Sequence, residues 1–286
     1  MKRWLLLVLL MAGLFAGPTP SWAGPLWDVP YGSDPRQRMD VYLPPQDGRA
    51  TERAPVIFMV HGGGWRHGDK GAGSVVNHKV ARWVAQGFVF VSVNNRLLPE
   101  ADPLEQARDV ARALATAQGK AASWGADPAR FILMGHSAGA HLVALLNAAP
   151  SLAATAGASA WLGTVALDSA ALDVAPIMQA RHYRLYDTAF GTDPAYWRAV
   201  SPLQQLEATA RPVLLVCSSR REDSCAQADG FAARAATLGV RAQVLRKDLS
   251  HADINQTLGQ PGAYTLAVEA FMGTLDPAVA RRLAPR

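Results

Sequence analysis

A strand, a sharp turn and a helix follow one another directly at residues 131–146, and this stretch constrains the fold most. The apolar runs 131–134 and 141–146 predict a buried strand and a buried helix. The turn between them reads Gly-His-Ser-Ala-Gly. Glycine leaves room for the strand and the helix to close around such a turn. Ser137 is therefore expected as a nucleophile at its tip, with the N–H of Ala138 beside it.

Apolar runs and amphipathic stretches alternate along the rest of the chain. Buried strands are predicted over residues 55–60, 87–93, 162–167, 212–217 and 241–246. Helices are predicted over residues 71–86, 103–118, 226–238 and 263–275. This alternation predicts an α/β fold with a mostly parallel central sheet and helices on both faces. Residues 38–43 predict an edge strand, and residues 173–202 predict a small cap or a long connection.

The first 23 residues have the pattern of a secretory signal peptide. Lys2 and Arg3 precede an apolar run, and small residues stand at the −3 and −1 positions of a cleavage site after Ala23. The run is shorter than the ~20 apolar residues of a membrane span, so no stable membrane anchor is expected. Residues 24–286 then form a single domain, which is expected to be periplasmic or secreted.

The charge and the cysteine content limit the binding partners and the cellular compartment that are expected for this chain. The formal net charge is +5, and the basic residues are scattered, so no nucleic-acid partner is expected. Two cysteines, Cys217 and Cys225, are present in a chain expected to be exported, which predicts a disulfide bond between them. The alternative is a pair of free thiols, with Cys217 buried in a strand.

A glycine run directly follows the strand predicted at 55–60. Residues 61–65 read His-Gly-Gly-Gly-Trp, which offers backbone N–H groups without a Cβ in the way. Such a loop after a buried strand is expected to stabilise an oxyanion. The alternative, a phosphate-binding loop, lacks both the Lys-Ser/Thr pair and a Gly-x-Gly-x-x-Gly pattern.

A serine nucleophile needs a base, and His251 is the histidine that fits. It lies beyond Ser137 in the chain and just after a predicted strand, as the order serine, acid, histidine requires. His61 is expected to brace the glycine loop, and His141 is expected to be a buried core histidine. The histidines lack metal-ligand spacing with a carboxylate, so no metal and no cofactor are expected.

The acid that orients the base has three candidates. Asp223 follows the strand that ends near Cys217, and its short side chain makes it the preferred choice. Glu222 is its neighbour. Asp168 follows the preceding strand and also reaches the carboxyl end of the sheet, where its other role is to cap a turn or line a pocket.

Together these motifs resemble the α/β-hydrolase superfamily, and within it bacterial carboxylesterases related to feruloyl esterases and hormone-sensitive-lipase-like enzymes. The matching stretches span most of the chain after residue 23: residues 31–42, 61–65, 95–97, 135–139 and 251–255. The resemblance implies an α/β-hydrolase fold, with Ser137 as nucleophile and His251 as base. It also implies oxyanion donors at Gly63, Gly64 and Ala138. The usual Gly-x-x-Asp approach to the acid is replaced by residues 217–223, so the acid stays open.

The expected function is an exported, cofactor-independent serine hydrolase that cleaves small carboxylic esters through an acyl-enzyme. Short-chain or aromatic acyl groups are expected, because residues 173–202 are too few for a large lid. Apolar pocket walls are expected from Trp65, Tyr183, Tyr186 and Trp197. An arylformamidase-like amide hydrolase is the alternative enzyme. A binding module on an inactive hydrolase scaffold is the alternative from another class.

Overall fold

A central eight-stranded sheet organises the computed structural model, which describes residues 24–45 and 52–284. The predicted leader, residues 1–23, lies outside the described residues. The strands are β1 (Leu26–Pro30), β2 (Arg38–Tyr42), β3 (Ala54–Val60), β4 (Val89–Val93), β5 (Ala126–His136), β6 (Gly163–Leu167), β7 (Val213–Ser218) and β8 (Ala242–Lys247). Their order is β1-β2-β4-β3-β5-β6-β7-β8. The pairs β1–β2 and β2–β4 are antiparallel, and the remaining pairs are parallel.

The central strands are buried on both faces of the sheet. In β3, Phe58 packs into one hydrophobic cluster, while its neighbours Ile57 and Met59 pack into another. The same alternation holds in β5, where Leu133 and Met134 face opposite clusters. Successive side chains of a strand point to opposite faces, so both faces need a layer of helices. This is why the strands read as unbroken apolar runs.

Helices cover both faces and connect the parallel strands. They are α1 (Gly73–Ala85), α2 (Pro103–Lys120), α3 (Ala138–Ala148), α4 (Pro150–Thr155), α5 (Val174–Gln179), α6 (Arg184–Phe190), α7 (Pro194–Ala199), α8 (Glu222–Thr237), α9 (His251–Gln256), α10 (Ala263–Gly273) and α11 (Pro277–Leu283). The predicted α/β class and mostly parallel sheet are confirmed. Among the residues described, no helix is both long and apolar enough to cross a bilayer.

The prediction that residues 38–43 form an edge strand is wrong. β2 lies between β1 and β4, and β1 occupies the edge. β1 is mostly exposed and contains an aspartate and a proline, so its sequence lacks the apolar run typical of a strand. In β2, by contrast, Met39 and Val41 are fully buried, which is what an internal strand requires.

The segment between β6 and β7 forms a small cap. It contains the three short helices α5, α6 and α7. Tyr186 and Phe190 of α6 stack at a centroid distance of 5.9 Å, and both pack against Trp65 of the glycine loop. The cap is thereby fixed over the carboxyl end of β3.

Candidate active site

Ser137 lies at the tip of the turn between β5 and α3. Its backbone has φ 56° and ψ −118°, a left-handed conformation that side-chain-bearing residues rarely adopt. The turn is tight enough to require glycine on both sides. A Cβ on Gly135 would lie 2.3 Å from the Gly139 carbonyl oxygen, and a Cβ on Gly139 would lie 2.4 Å from the Val60 carbonyl oxygen. The predicted strand–turn–helix is therefore present, and Ser137 is half-buried at its apex.

The glycine loop after β3 runs against this turn. A Cβ on Gly62 would lie 3.0 Å from Ser137 Cβ, so the loop backbone touches the serine. Gly63 and Gly64 have φ values of 125° and 59°, in the region that favours glycine. Ala138 heads α3, and the first N–H groups of a helix have no partner within it. The three residues named as oxyanion donors thus come from two segments that meet at Ser137.

Two histidines fix the glycine loop. His61 is buried, and its Nδ1 lies 2.7 Å from the Gly62 carbonyl oxygen, so it braces the loop as the sequence suggests. Trp65 donates its indole N–H to Nδ1 of the fully buried His141 at 3.2 Å. Nε2 of His141 in turn donates to the Val200 carbonyl oxygen at 2.7 Å. His141 therefore joins the loop, α3 and the end of the cap.

His251 is the first residue of α9, and Asp168 orients it. Its Nδ1 lies 2.6 Å from Asp168 Oδ2. Ser250 caps the helix by accepting the Asp253 N–H at 3.1 Å. Because a carboxylate only accepts hydrogen bonds, His251 donates from Nδ1, which leaves Nε2 free to take a proton. Among the described residues, His251 makes no hydrogen bond to Ser137 Oγ; such bonds often form only in the substrate complex.

His136 connects the turn to the base. It precedes Ser137, its ring centroid lies 4.5 Å from that of His251, and its Nε2 lies 2.9 Å from the His251 carbonyl oxygen. Burial lowers the pKa of His136 to about 3, so the ring is neutral and donates from Nε2. The sequence showed His136 only as the variable position of the motif, and no local signal gave it this contact.

The acid at His251 is Asp168, which corrects the preferred assignment to Asp223. Asp223 and Glu222 are exposed at the start of α8. The charged contact of Asp223 is to Arg221 Nη2, at 3.6 Å from Oδ1. The physical reason is the orientation of the first turn of α8: Ser224 is its buried residue and contacts Asp168, while Glu222 and Asp223 are exposed to solvent. Asp168, the alternative after β6, reaches His251 directly.

A ring of donors surrounds the Asp168 carboxylate. Oδ1 accepts the Ser218 N–H at 2.7 Å and the Ser224 hydroxyl, and Oδ2 accepts Arg221 Nη1 at 2.9 Å besides His251. Burial alone would raise the pKa of Asp168, but these hydrogen bonds outweigh it and hold the pKa well below its usual range. Asp168 therefore stays ionised. Arg221 and Ser224 were missed by sequence reasoning because they contact Asp168 across more than fifty positions.

Cys217 and Cys225 form the predicted disulfide bond, with a Cα–Cα distance of 5.1 Å. The bond closes the loop that carries Ser218, Arg221 and Ser224. In the described part of the chain, no cluster of three or more His, Cys, Asp or Glu side chains is arranged to hold a metal ion.

Solved structures with similar folds decide the fold family. Esterase B from Lactobacillus rhamnosis (HN001) superimposes with a TM-score of 0.72 at 19% identity, covering 93% of this chain and 89% of that chain. Thermogutta terrifontis esterase 2 phosphonylated by sarin gives a TM-score of 0.71 at 21% identity, covering 93% and 99% of the two chains. The chain has the α/β-hydrolase fold. The predicted resemblance is confirmed.

Sequence relatives point to the same hydrolase fold. Residues 39–157 match the BD-FAE family. Esterase LipQ of Mycobacterium tuberculosis is 28% identical over 212 residues, covering 70% of this chain and 50% of the relative. Probable isoprenylcysteine alpha-carbonyl methylesterase ICMEL1 of Oryza sativa subsp. japonica is 34% identical over 135 residues, covering 46% of this chain and 30% of the relative. The chain thus spans half or less of the length of these relatives.

Proposed function

We propose that this α/β-hydrolase is a carboxylic ester hydrolase that forms an acyl-enzyme on Ser137. The observation that carries the proposal is the 2.6 Å contact between His251 Nδ1 and the ionised Asp168, next to a serine held in the left-handed turn. Nucleophile, base and acid follow one another in the order serine, acid, histidine that this fold uses. The esterase names of the relatives support the same reaction class.

The reaction then proceeds in two halves. Ser137 Oγ attacks the ester carbonyl while His251 Nε2 takes its proton, and the N–H groups of Gly63, Gly64 and Ala138 bind the oxyanion. The C–O bond to the leaving alcohol breaks as His251 returns the proton to that oxygen. Water then attacks the acyl-enzyme with His251 again as base, which releases the acid and restores Ser137. No cofactor takes part in these steps.

The proposed substrates are small esters with short-chain or aromatic acyl groups. A cavity of about 440 Å³ lies between the cap and α8. Tyr183 and Tyr186 line this cavity, whereas Trp65 and Trp197 do not, and its lining does not include Ser137, His251 or the glycine loop. Trp197 instead donates its indole N–H to the Phe190 carbonyl oxygen at 3.1 Å. The support for small substrates is the size of the cap, because its three helices of six or seven residues form a smaller cover than a large lid.

Export through residues 1–23 is part of the same proposal, with residues 24–286 as the mature, periplasmic or secreted domain. The disulfide between Cys217 and Cys225 supports it, because such bonds persist in oxidising compartments.

Hydrolysis of a graded series of p-nitrophenyl esters, from acetate to laurate, tests the proposed function. The purified chain should turn over acetate and butyrate esters fastest, and Ser137→Ala should lose roughly three orders of magnitude or more in kcat. An N-aryl formamide in the same series tests the amide hydrolase alternative. Retention of more than about a tenth of the activity by Ser137→Ala, or laurate exceeding butyrate, would contradict the proposal.

A further inference from the structure

Arg221 makes three contacts with the acid and the base. Its Nη1 lies 2.9 Å from Asp168 Oδ2, 3.3 Å from the Asp168 carbonyl oxygen and 2.9 Å from His251 Nδ1. Its side chain is 26% exposed, while that of Asp168 is fully buried. Arg221 directly precedes α8, inside the loop closed by the disulfide bond. None of the reaction steps above uses this guanidinium.

The contact with His251 has a chemical consequence. A guanidinium can only donate hydrogen bonds. If Nδ1 accepted from Arg221, the ring hydrogen would sit on Nε2, and His251 could not take a proton from Ser137. If Nδ1 carries the hydrogen and donates to Asp168, two donors lie 2.9 Å apart. The tautomer of His251 that can accept a proton from Ser137 therefore lies beside the permanent positive charge of Arg221.

That charge acts on the base in two opposing ways. The hydrogen bonds from Arg221 fix the carboxylate that aims His251, which favours turnover. The same charge lies 2.9 Å from Nδ1 of the ring, where it repels any second positive charge. Removal of Arg221 should thus slow the reaction and also move the loss of activity at acidic pH to higher pH.

We propose that Arg221 is a positioning residue that holds Asp168 and places a fixed positive charge beside His251, and that this charge extends the activity of the enzyme to lower pH. The inference rests on the proposed function and adds to it a determinant of the pH range. Arg221 itself touches neither Ser137 nor the loop of Gly63 and Gly64 in the described contacts.

Other titratable groups surround the pair, and none duplicates Arg221. They are Asp168 after β6, His136 on β5, Lys79 on α1, Tyr186 on α6, Asp223 on α8 and Tyr264 on α10. Burial keeps His136 neutral and raises the pKa of both tyrosines. Burial also lowers the pKa of Lys79 to about 7, so it titrates in the working range. Lys79 is present in every variant compared below, so its contribution cancels.

The test is the pH dependence of kcat and kcat/KM for p-nitrophenyl acetate between pH 5 and 9. Arg220→Met is the matched control, because Arg220 is the neighbouring arginine and pairs with Asp248 at the exposed surface, 2.7 Å away. In Arg221→Met we expect kcat to fall roughly tenfold or more. The acidic limb of kcat/KM should move up by about one pH unit. Arg220→Met should follow the wild-type profile.

Arg221→Lys separates charge from geometry. Lysine keeps the positive charge but not the fork of donors, so its acidic limb should stay near that of the wild type while kcat falls. Thermal unfolding of each variant checks that it is folded. If Arg221→Met does not fold, the kinetics of Arg221→Lys alone decide the test.

Three results would overturn the inference. In the first, the acidic limb of the kcat/KM profile of folded Arg221→Met stays where it is in the wild type. In the second, that limb moves to lower pH. In the third, Arg221→Lys keeps the full kcat of the wild type. Failure of the proposed function is distinguishable, because the wild type and Arg220→Met would then not hydrolyse the ester at all.

Discussion

Three residues without glycine's freedom adopt positive φ values where strands end at the site. Ser137 and Asp168 each have φ 56°, and Trp65 has φ 60°. Such conformations cost on the order of 1–3 kcal/mol each and persist where surrounding contacts hold them. Ser137 lies between close-packed glycines, Asp168 accepts hydrogen bonds from a ring of donors, and Trp65 donates a hydrogen bond to His141. The strain thus falls on the proposed nucleophile, on the aspartate that contacts His251 and on the glycine loop.

We predict that the substitution of aspartate by asparagine affects turnover differently at two positions. Asp168→Asn should lower kcat by about 10⁴-fold, because an amide at this position favours the wrong tautomer of His251. Asp223→Asn, the matched control at the exposed start of α8, should stay within about threefold of wild type. Steady-state kinetics with p-nitrophenyl acetate measure both. A large loss in Asp223→Asn with an active Asp168→Asn would restore the original assignment of the acid.

The segment from Cys217 to Cys225, which joins β7 to α8 and is closed into a loop by the disulfide bond, is the part of the chain on which Asp168 depends. Three of the four groups that donate to the Asp168 carboxylate come from it: the Ser218 N–H, the Ser224 hydroxyl and Arg221. The disulfide closes this loop across a sequence separation of 8. Asp223, the acid preferred from the sequence, lies inside this loop. The structure has the acid outside the loop and its hydrogen-bond donors inside.

Removal of the disulfide should therefore affect both stability and turnover. In Cys217→Ser/Cys225→Ser, the loss of loop-closure entropy should lower the free energy of unfolding by about 2.5 kcal/mol. Turnover should fall as well, because the donors to Asp168 lose their constraint. Denaturant unfolding and ester kinetics, each compared with the oxidised wild type, measure the two effects. Unchanged turnover with a lower melting temperature would reduce the bond to a stabilising cross-link.

Across the whole molecule, buried neutral histidines tie the layers together. His141 joins α3, the glycine loop and the cap, and burial lowers its pKa to about 4. His136 is similarly buried between β5 and α9. The unfolded chain has ordinary histidines with a pKa near 6.5. It therefore binds more protons than the folded chain between about pH 6.5 and pH 4, and the stability falls as the pH falls through this window.

We predict that the free energy of unfolding drops between pH 7 and pH 5, with about 2 kcal/mol of the drop due to His141 alone. Asp168 changes the free energy of unfolding only below this pH window, because its pKa is lowered from an already acidic value. Lys79 changes it only above the window, because its pKa is lowered from 10.5 to about 7. Urea unfolding at several pH values measures the slope. His141→Gln, which keeps a donor and an acceptor, should flatten it. A stability that is constant or rises toward pH 5 would contradict the prediction.

Features that depend on neighbouring residues could be predicted from the sequence, whereas features that depend on contacts between distant residues could not. The strands β3 and β7 were predicted within one residue at each end, and the buried part of β5 was predicted over residues 131–134, because burial on both faces shows in the local pattern. β1 was missed because its place in the sheet depends on pairing with β2, not on its own apolarity. Ser137 and His251 follow from motifs, whereas Asp168, Arg221 and His136 depend on contacts between distant strand ends. No local pattern in one sequence reports such contacts.

Covalent labelling with a fluorophosphonate tests the central claim, that His251 activates Ser137 as the nucleophile, most directly. Intact mass and peptide mapping give the site of the adduct, and the time course gives its rate. We predict one adduct per chain, located on Ser137, and labelling of His251→Ala at least roughly 100-fold slower than wild type. An adduct on another residue, or equal labelling rates in wild type and His251→Ala, would contradict the account.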